Sequence, residues 1–405
     1  MKDESGELLD EVLVSVFKRP HSYTGEDAIE ISCHGSVYIQ QQLLELLMNN
    51  GARLAEPGEF TMRAFSNGKF DLAQAEAVGD IIASHSKTSH DIAMQQMRGG
   101  YSQKMKELRQ QLLDFASLIE LELDFAEEDV EFANREELNR LLQTLKTEMT
   151  RLIESFSVGN VLKKGIPVTI IGEPNVGKST LLNALLNEEK AIVSEIPGTT
   201  RDLVEDSISI DGVTFRFIDT AGLRKSTDKV ESIGIERTYE QIRQARIVLY
   251  VFDIRNTDCE TVQEKLREFH EVIQDPTKKF ILIANKTDEL EEMPHAFQKM
   301  VELDCVFISA KRKENLKLVT EHLLNAVDTS NIKDETIVSN ARHYQELTKA
   351  LEAITSVEQG FEQGIPSDLI AIDIRTALHH LGEITGQVTT DELLGNIFGN
   401  FCIGK

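Results

Sequence analysis

No stretch of this 405-residue sequence reaches the ~18 uninterrupted apolar residues that a membrane-spanning helix needs. The opening residues, Met1-Lys-Asp-Glu-Ser-Gly6, hold no apolar core of a secretory signal, so export is not expected. Cysteine is scarce. Cys33, Cys259, Cys305 and Cys402 lie far apart, with no C-x-x-C pair and no disulfide framework. A reducing, cytoplasmic location is the natural expectation. Positive charge is also short: 43 Lys and Arg against 68 Asp and Glu leave a net −25. Such a chain is poorly suited to coat nucleic acid non-specifically, because phosphate binding needs a basic surface; a local basic patch is still open to it. Internal repeats and low-complexity tracts are missing too.

What remains is an ordinary soluble composition, 41% apolar and 27% charged. At ~150 residues per domain the length suits two or three domains. Residues 1 to about 67 mix short alternating runs (Glu11 to Phe17, Ala28 to Ser32) with one amphipathic segment, Val37 to Met48. That pattern predicts a small α+β unit. From about Asp71 to Val161 apolar residues recur at helical spacing, as in Leu108, Leu112, Phe115, Leu118 and Ile119. The acidic stretch Glu120 to Glu137 reads as a solvated helix face or bend.

From Gly165 to about Asp328 the texture changes. Val168 to Gly172, Ile247 to Asp253, Phe280 to Asn285 and Val306 to Ser309 predict buried parallel strands, each followed by a helical stretch. Ile208 to Ile210 and Val213 to Ile218 predict a hairpin turning at Asp211-Gly212. Helical texture returns after Ile332. An α/β domain set between two helical stretches implies one helical domain built from both flanks.

Gly172-Glu-Pro-Asn-Val-Gly-Lys-Ser179 fits G-x-x-x-x-G-K-[ST] between a strand and a helix. Glycines let backbone N–H groups wrap phosphates at a helix N-terminus. Asn175, Val176, Gly177, Lys178, Ser179 and Thr180 are the expected phosphate-loop contacts. Lys178 should reach the β- and γ-phosphates, and Ser179 should ligate Mg²⁺. Asp219-Thr-Ala-Gly222 ends a hairpin strand, where Asp219 can hold the Mg²⁺ shell and the Gly222 N–H can meet the γ-phosphate; Thr220 and Ala221 lie between them. Asn285-Lys286-Thr-Asp288 ends another strand. Its carboxylate can accept from both N1–H and the 2-amino group of guanine, a donor pair that adenine lacks. Ser309, Ala310 and Lys311 support the same base. All these segments sit at C-terminal strand ends, where open α/β sheets bind ligands.

These motifs resemble the GTPase domain of translation-factor and Ras-related G proteins. Switch I should then be Glu188 to Asp202, with Ser194, Glu195, Ile196, Pro197, Gly198, Thr199 and Thr200 near the nucleotide. Thr199 or Thr200 must offer a hydroxyl to Mg²⁺, and the resemblance points to Thr200. Ras-like enzymes place a water-orienting Gln after the DTAG glycine, whereas Leu223 stands here. Another group must orient water and another charge must replace an arginine finger. Asn175 can offer a side-chain carbonyl to a monovalent cation, and Glu231 is the acidic candidate for the water.

Further runs extend the resemblance to nearly the whole chain. Pro197-Gly-Thr-Thr-Arg-Asp202, Asp219-Thr-Ala-Gly-Leu-Arg224, Ser22-Tyr-Thr-Gly-Glu-Asp27, Pro57-Gly-Glu-Phe60, Asn67-Gly-Lys69, Asp71-Leu-Ala-Gln-Ala-Glu-Ala77 and Phe401-Cys-Ile-Gly-Lys405 resemble the MnmE (TrmE) family of tRNA modification GTPases. The fold implied is multidomain α/β and α. A truncated α+β folate-binding domain (1–67) precedes an all-α helical domain (68–160 and 331–405), into which a Ras-like P-loop GTPase domain (161–330) is inserted.

The resemblance further implies a potassium-activated GTPase and a homodimer. K⁺ would be held by Asn175, Thr199 and the carbonyls of Ser194 and Ile196, with Glu231 orienting water. Glu30, Lys69 and Lys405 would contact 5-formyl-tetrahydrofolate, and Cys402 would lie near the modification chemistry. An FAD-containing partner, MnmG, would join the protein in placing a (carboxymethyl)aminomethyl group on C5 of the wobble uridine, U34, of certain tRNAs. The chain has no flavin motif of its own. Family members begin with a Gly/Arg-rich strand well upstream of Ser22, so the first part of the folate domain, with an arginine expected at the folate, is expected to be missing from this sequence. The competing reading is a ribosome-assembly or signalling GTPase, a switch that would need neither the folate motifs nor the Cys-Ile-Gly-Lys end.

Overall fold

The computed structural model describes residues 1–405 apart from 3–4, 125–134, 191–206, 219–233, 291–304, 328–335, 400, 402–403 and 405. The chain divides into two compact units. The first comprises residues 1–84, 90–157 and 336–405, the second 85–89 and 158–335.

In chain order, the first unit opens with strands β1 (Leu13–Phe17) and β2 (Ala28–Ser32), an antiparallel pair with Leu13 opposite Ser32. The Asp27 carboxylate accepts from the Arg19 N–H at 2.9 Å and tightens their connection. Helices α1 (Val37–Asn49), α2 (Glu59–Ser66) and α3 (Leu72–Ile82) follow. Asp71 and Gln74 start α3 with a reciprocal capping box, each side chain accepting from the other's backbone N–H at 3.0 Å. Next come α4 (Lys87–Met97), α5 (Gly100–Asp124) and α6 (Arg135–Lys164). Gly99, at φ 87°, breaks α4 from α5.

The second unit continues with β3 (Ile166–Ile171), α7 (Lys178–Lys190), β4 (Ser207–Ile210), β5 (Val213–Phe217), α8 (Gly234–Gln244) and β6 (Ile247–Asp253). Then come α9 (Cys259–Glu268), α10 (His270–Gln274), β7 (Lys279–Asn285), β8 (Cys305–Phe307) and α11 (Leu316–Asn325). The chain returns to the first unit with α12 (Ala341–Glu362), α13 (Ser367–Thr385) and α14 (Asp391–Gly399).

The helical core draws on both flanks of the inserted unit. Leu108, Leu112, Phe115 and Ile119 of α5 and Leu142, Leu145, Met149 and Leu152 of α6 pack in one cluster. Leu347, Ile354 and Val357 of α12 and Ile370, Ile374 and Leu381 of α13 complete it. The spacing of three and four residues puts each set on one helix face. Full burial of each such side chain contributes roughly 1.5–3 kcal/mol.

One polar knot lies within this unit. Glu76 of α3 accepts from Arg342 at 2.8 and 3.0 Å and meets His343 Nε2 at 2.6 Å. The Tyr101 ring stacks on His343 with centroids 5.0 Å apart. Burial works to raise the Glu76 pKa, but His343 and then Arg342 outweigh it and hold the carboxyl at about 2.

The C-terminal residues pack back onto α2 and α3. A Cβ on Gly58 would meet the Phe398 carbonyl oxygen at 2.6 Å, and one on Gly79 would lie 3.1 Å from the Phe401 ring.

The second unit holds a sheet in the order β4-β5-β3-β6-β7-β8. β3, β5, β6, β7 and β8 run parallel, and β4 is antiparallel to β5. All seven residues of central β6 are buried, as its unbroken apolar run dictates. This is the α/β domain expected between two helical stretches.

Candidate nucleotide-binding site

The loop after β3 has a shape that only its own residues allow. A Cβ on Gly172, at φ 144°, would lie 2.0 Å from the Val251 carbonyl oxygen. One on Gly177, at φ 99°, would lie 2.3 Å from Asn285 Nδ2. Between them Asn175 takes a left-handed φ of 62°. α7 then begins at Lys178, anchored by Leu181, Leu182 and Leu185, each at most 1% exposed. Its N-terminus therefore points at a glycine-lined turn, an arrangement suited to phosphate. Lys178 Nζ reaches back along that turn and donates to the Gly172 and Glu173 carbonyls at 2.7 and 2.6 Å. Burial lowers its pKa. Half-buried Ser179 and exposed Thr180 follow on the first turn of α7.

Two other loops close on this one. Asn285, 3% exposed at the end of β7, donates through Nδ2 to the Val176 carbonyl at 2.8 Å. Its Oδ1 accepts from the Ala310 N–H at 3.0 Å. Lys286, at φ 71°, donates to the Asn175 carbonyl at 2.8 Å and to Asp253 Oδ2 at 2.7 Å. Asp288 lies in a single 3₁₀ turn, Thr287–Glu289, and accepts from Ser309 Oγ at 2.7 Å. That hydrogen bond, with the nearby Arg312 and Lys311 charges, holds its carboxyl below the usual range. The carboxylate is thus favoured in its ionised form, which can accept two N–H donors at once. Ser309 in turn accepts from the Arg312 N–H at 3.1 Å, and Lys311 is exposed beside it.

The structure therefore brings Asn175, Val176, Asn285, Lys286, Asp288, Ser309 and Ala310 together through hydrogen bonds between three loops, and Gly177 and Lys178 lie on the first of them. The expected contacts at Ser194, Glu195, Ile196, Pro197, Gly198, Thr199 and Thr200 lie outside the described residues. So do Asp219, Thr220, Ala221, Gly222, Glu231, Cys402 and Lys405.

Sequence reasoning passed over Asp253, Arg255, Glu289 and Arg312. Arg255 donates to Asp253 at 2.7 and 2.9 Å and also to Glu289, and Arg312 Nε lies 3.5 Å from Asp288. The signal for Asp253 was present. It ends a parallel strand at the same sheet edge as the other site residues.

In the first unit, two of the quoted N-terminal runs meet. Asn67 Nδ2 donates to the Thr24 carbonyl at 2.9 Å, and Lys69 Nζ to the Pro20 carbonyl at 3.0 Å. The Tyr23 and Phe70 rings pack edge to face at 5.7 Å. Glu30 is exposed on β2, opposite Ser15.

Comparison with known proteins assigns these parts. The family described as GTP-binding protein TrmE N-terminus matches residues 1–69, and the MnmE helical domain matches residues 72–402. The chain is 57% identical to the tRNA modification GTPase MnmE of Flavobacterium johnsoniae, over 99% of this chain and 87% of that one. It is 56% identical to the MnmE of Flavobacterium psychrophilum, over 98% and 86%. Among solved structures, Aquifex aeolicus Era bound to GDP and AlF4⁻ is 22% identical over 46% of this chain and 66% of that one, with a TM-score of 0.28. Identity above half over nearly the whole chain, with both family matches, leaves one assignment: the chain is a GTP hydrolase that belongs to the MnmE family of tRNA modification GTPases.

Proposed function

We propose that the chain is a potassium-dependent GTPase that works as a homodimer in the cytoplasm with the FAD-containing partner MnmG. The pair modifies C5 of the wobble uridine, U34, of certain tRNAs to the (carboxymethyl)aminomethyl form, with a folate one-carbon donor. The observation that carries the GTPase part is the phosphate loop tied to the base loop by Asn285 and Lys286. The match of residues 1–69 and 72–402 to the family supports the rest over a bare ribosome-assembly or signalling switch. Among the described residues no helix is long and apolar enough to cross a membrane.

The donor set fits a hard cation. Ser179, on the first turn of α7, and Thr200 would bind Mg²⁺ through hydroxyls, with Asp219 beyond them. Bound Mg²⁺ offsets charge on the β- and γ-phosphate oxygens. Asn175 would hold K⁺ with Thr199 and the carbonyls of Ser194 and Ile196, where a finger charge is otherwise needed. The left-handed turn at Asn175, with its carbonyl fixed by Lys286, supports that role. Lys178 binds the transferring phosphate, and Glu231 holds the attacking water, a task that Leu223 cannot perform. In the N-terminal unit, Lys69, beside the joined turns at Thr24 and Asn67, would meet an acidic folate group; Glu30 suits an amide edge and Lys405 a second acidic group. Cys402 would act near the modified base.

The test is GTP turnover in matched KCl and NaCl, followed by tRNA modification with MnmG and the folate added. Turnover should be at least tenfold faster in K⁺, and modified uridine should form only in the complete mixture. Equal rates in the two salts would remove the potassium site. No modified base in the complete mixture would leave GTP hydrolysis alone.

A further inference from the structure

We propose that Asp253, at the C-terminal end of β6, is a positioning residue for guanine selection, holding both flanks of Asp288. The proposal deepens the nucleotide-site reading and rests on Asp288 as the acceptor for guanine. The Asp253 side chain is 8% exposed. Its Oδ2 accepts from Lys286 Nζ and from Arg255 Nη2, both at 2.7 Å. Its Oδ1 accepts from Arg255 Nε at 2.9 Å and from the Arg255 N–H at 3.1 Å. All four donors are thus drawn onto one buried carboxylate.

Through Lys286 directly, and through Arg255 to Glu289, that carboxylate reaches the chain on both sides of Asp288. Lys286 lies two residues before it, held with its backbone in the left-handed region at φ 71°. Glu289 lies one residue after it and pairs with Arg255. The main chain adds a further tie, since the Ile254 N–H donates to the Asn285 carbonyl at 3.2 Å. The single turn carrying Asp288 is therefore fastened on one side by Asp253 through Lys286, and on the other by Asp253 through Arg255. A third fastening, Ser309 Oγ on Asp288 Oδ1, sets the carboxylate's rotation.

The chemistry makes that fastening matter. A carboxylate that accepts from both N1–H and the 2-amino group must lie in the plane of the base, with its two oxygens in register. A small tilt of the turn lengthens one bond before the other. Hydrogen bonds weaken steeply with misalignment, so loss of the clamp costs the two-point contact more than a one-point contact. Inosine keeps N1–H and lacks the 2-amino group. GTP should then lose more than ITP when the clamp is cut, whereas simple loosening of the fold would weaken both equally.

The experiment measures KM and kcat for GTP and ITP with the full chain in KCl. Asp253→Asn keeps the shape and removes the charge. The GTP-over-ITP preference in kcat/KM should fall about tenfold, through KM, with kcat within about twofold. Asp253→Glu, which keeps the charge, should recover part of the preference. Should Asp253→Asn fail to fold, Arg255→Gln carries the test, because its one-third-exposed side chain can be changed without opening the core. It should lower the preference about threefold. An unchanged preference, or equal losses for the two nucleotides, would overturn the proposal. Asp288→Asn separates the two levels. Its amide can donate to a 2-oxo group, so preference should move toward xanthosine triphosphate. If that variant still prefers GTP, the guanine-acceptor reading fails first; if it switches while Asp253→Asn does not alter the ratio, only the clamp fails.

Discussion

The side-chain nitrogen of Asn285 lies 2.8 Å from the carbonyl oxygen of Val176, a hydrogen bond spanning 109 positions of sequence. It joins the loop after β3 to the loop after β7. The other end of the same amide accepts from Ala310, so one buried side chain ties three loops. Asn285→Ala should leave the sheet folded, since the strand itself is held by its neighbours. Losing buried hydrogen-bond partners typically costs ~1–3 kcal/mol, so GTP affinity should fall roughly ten- to hundredfold. Titration with a fluorescent guanine nucleotide checks this, and affinity within twofold of the parent protein would refute it.

Gly177→Ala attacks the same junction from the other side. The added Cβ would sit 2.3 Å from Asn285 Nδ2, at a φ of 99° that alanine rarely adopts. Either the loop or Asn285 must move. Strain of this kind costs about 1–3 kcal/mol. The variant should melt somewhat earlier and lose nucleotide affinity more than Asn285→Ala does. Calorimetric melting with and without GTP separates the two effects.

Glu231→Ala tests the proposed water-orienting role. GTP affinity should stay near that of the parent, while turnover in KCl falls by about 10²–10⁴-fold, the usual range for a group that positions a proton transfer. Single-turnover hydrolysis is the direct readout; an undiminished rate would remove Glu231 from the mechanism.

Acid should act on the helical unit through Glu76. Its folded pKa of about 2 lies below the ordinary 4.5, so its ion pairs stabilise the fold fully above pH 4.5. That contribution is lost as pH falls from 4.5 through 2. A shift of this size corresponds to about 3 kcal/mol. Glu76→Gln should therefore be less stable by about 3 kcal/mol at pH 7, because Arg342 and His343 lose their buried partner. At pH 3 the gap should narrow. Urea unfolding followed at both pH values measures it, and a gap independent of pH would contradict the assignment.

Gly79→Val tests the seat of the C-terminal residues. The Cβ would press on the Phe401 ring at 3.1 Å. Limited proteolysis should cut near the C-terminus sooner, while GTP turnover stays unchanged. Equal cleavage rates would show that Phe401 finds another seat.

How far the sequence foretold the structure depended on how local the cause was. Ile247 to Asp253 was legible to the residue, because a run buried on both faces has no polar position to blur it. Lys279 joins β7 although exposed, and β8 starts one residue before and ends two residues before the expected Val306 to Ser309. There Ser309 leaves the sheet to bridge Glu314, placing its hydroxyl on Asp288. The helical half showed texture but not breaks, since Gly99 stops α4 through one backbone angle. The phosphate loop and base loop were legible as short patterns. Asp253 was not, because its partners Lys286 and Arg255 acquire meaning only when β6 and β7 lie side by side. Lys69 is similar: its tie to Pro20 crosses 49 positions, and nothing in the local pattern announces it.

The interrupted first unit has a consequence for biosynthesis. Every residue of the second unit has been synthesised by residue 335, whereas the helical core still waits for Leu347, Ile354, Ile374 and Leu381. The nucleotide-binding unit can thus close while the chain is still growing, and the helical unit only at the end. Until then, Leu108, Leu112 and Phe115 have only their α6 partners, and the nascent chain must carry that apolar stripe without its α12 and α13 cover through the whole synthesis of the inserted unit.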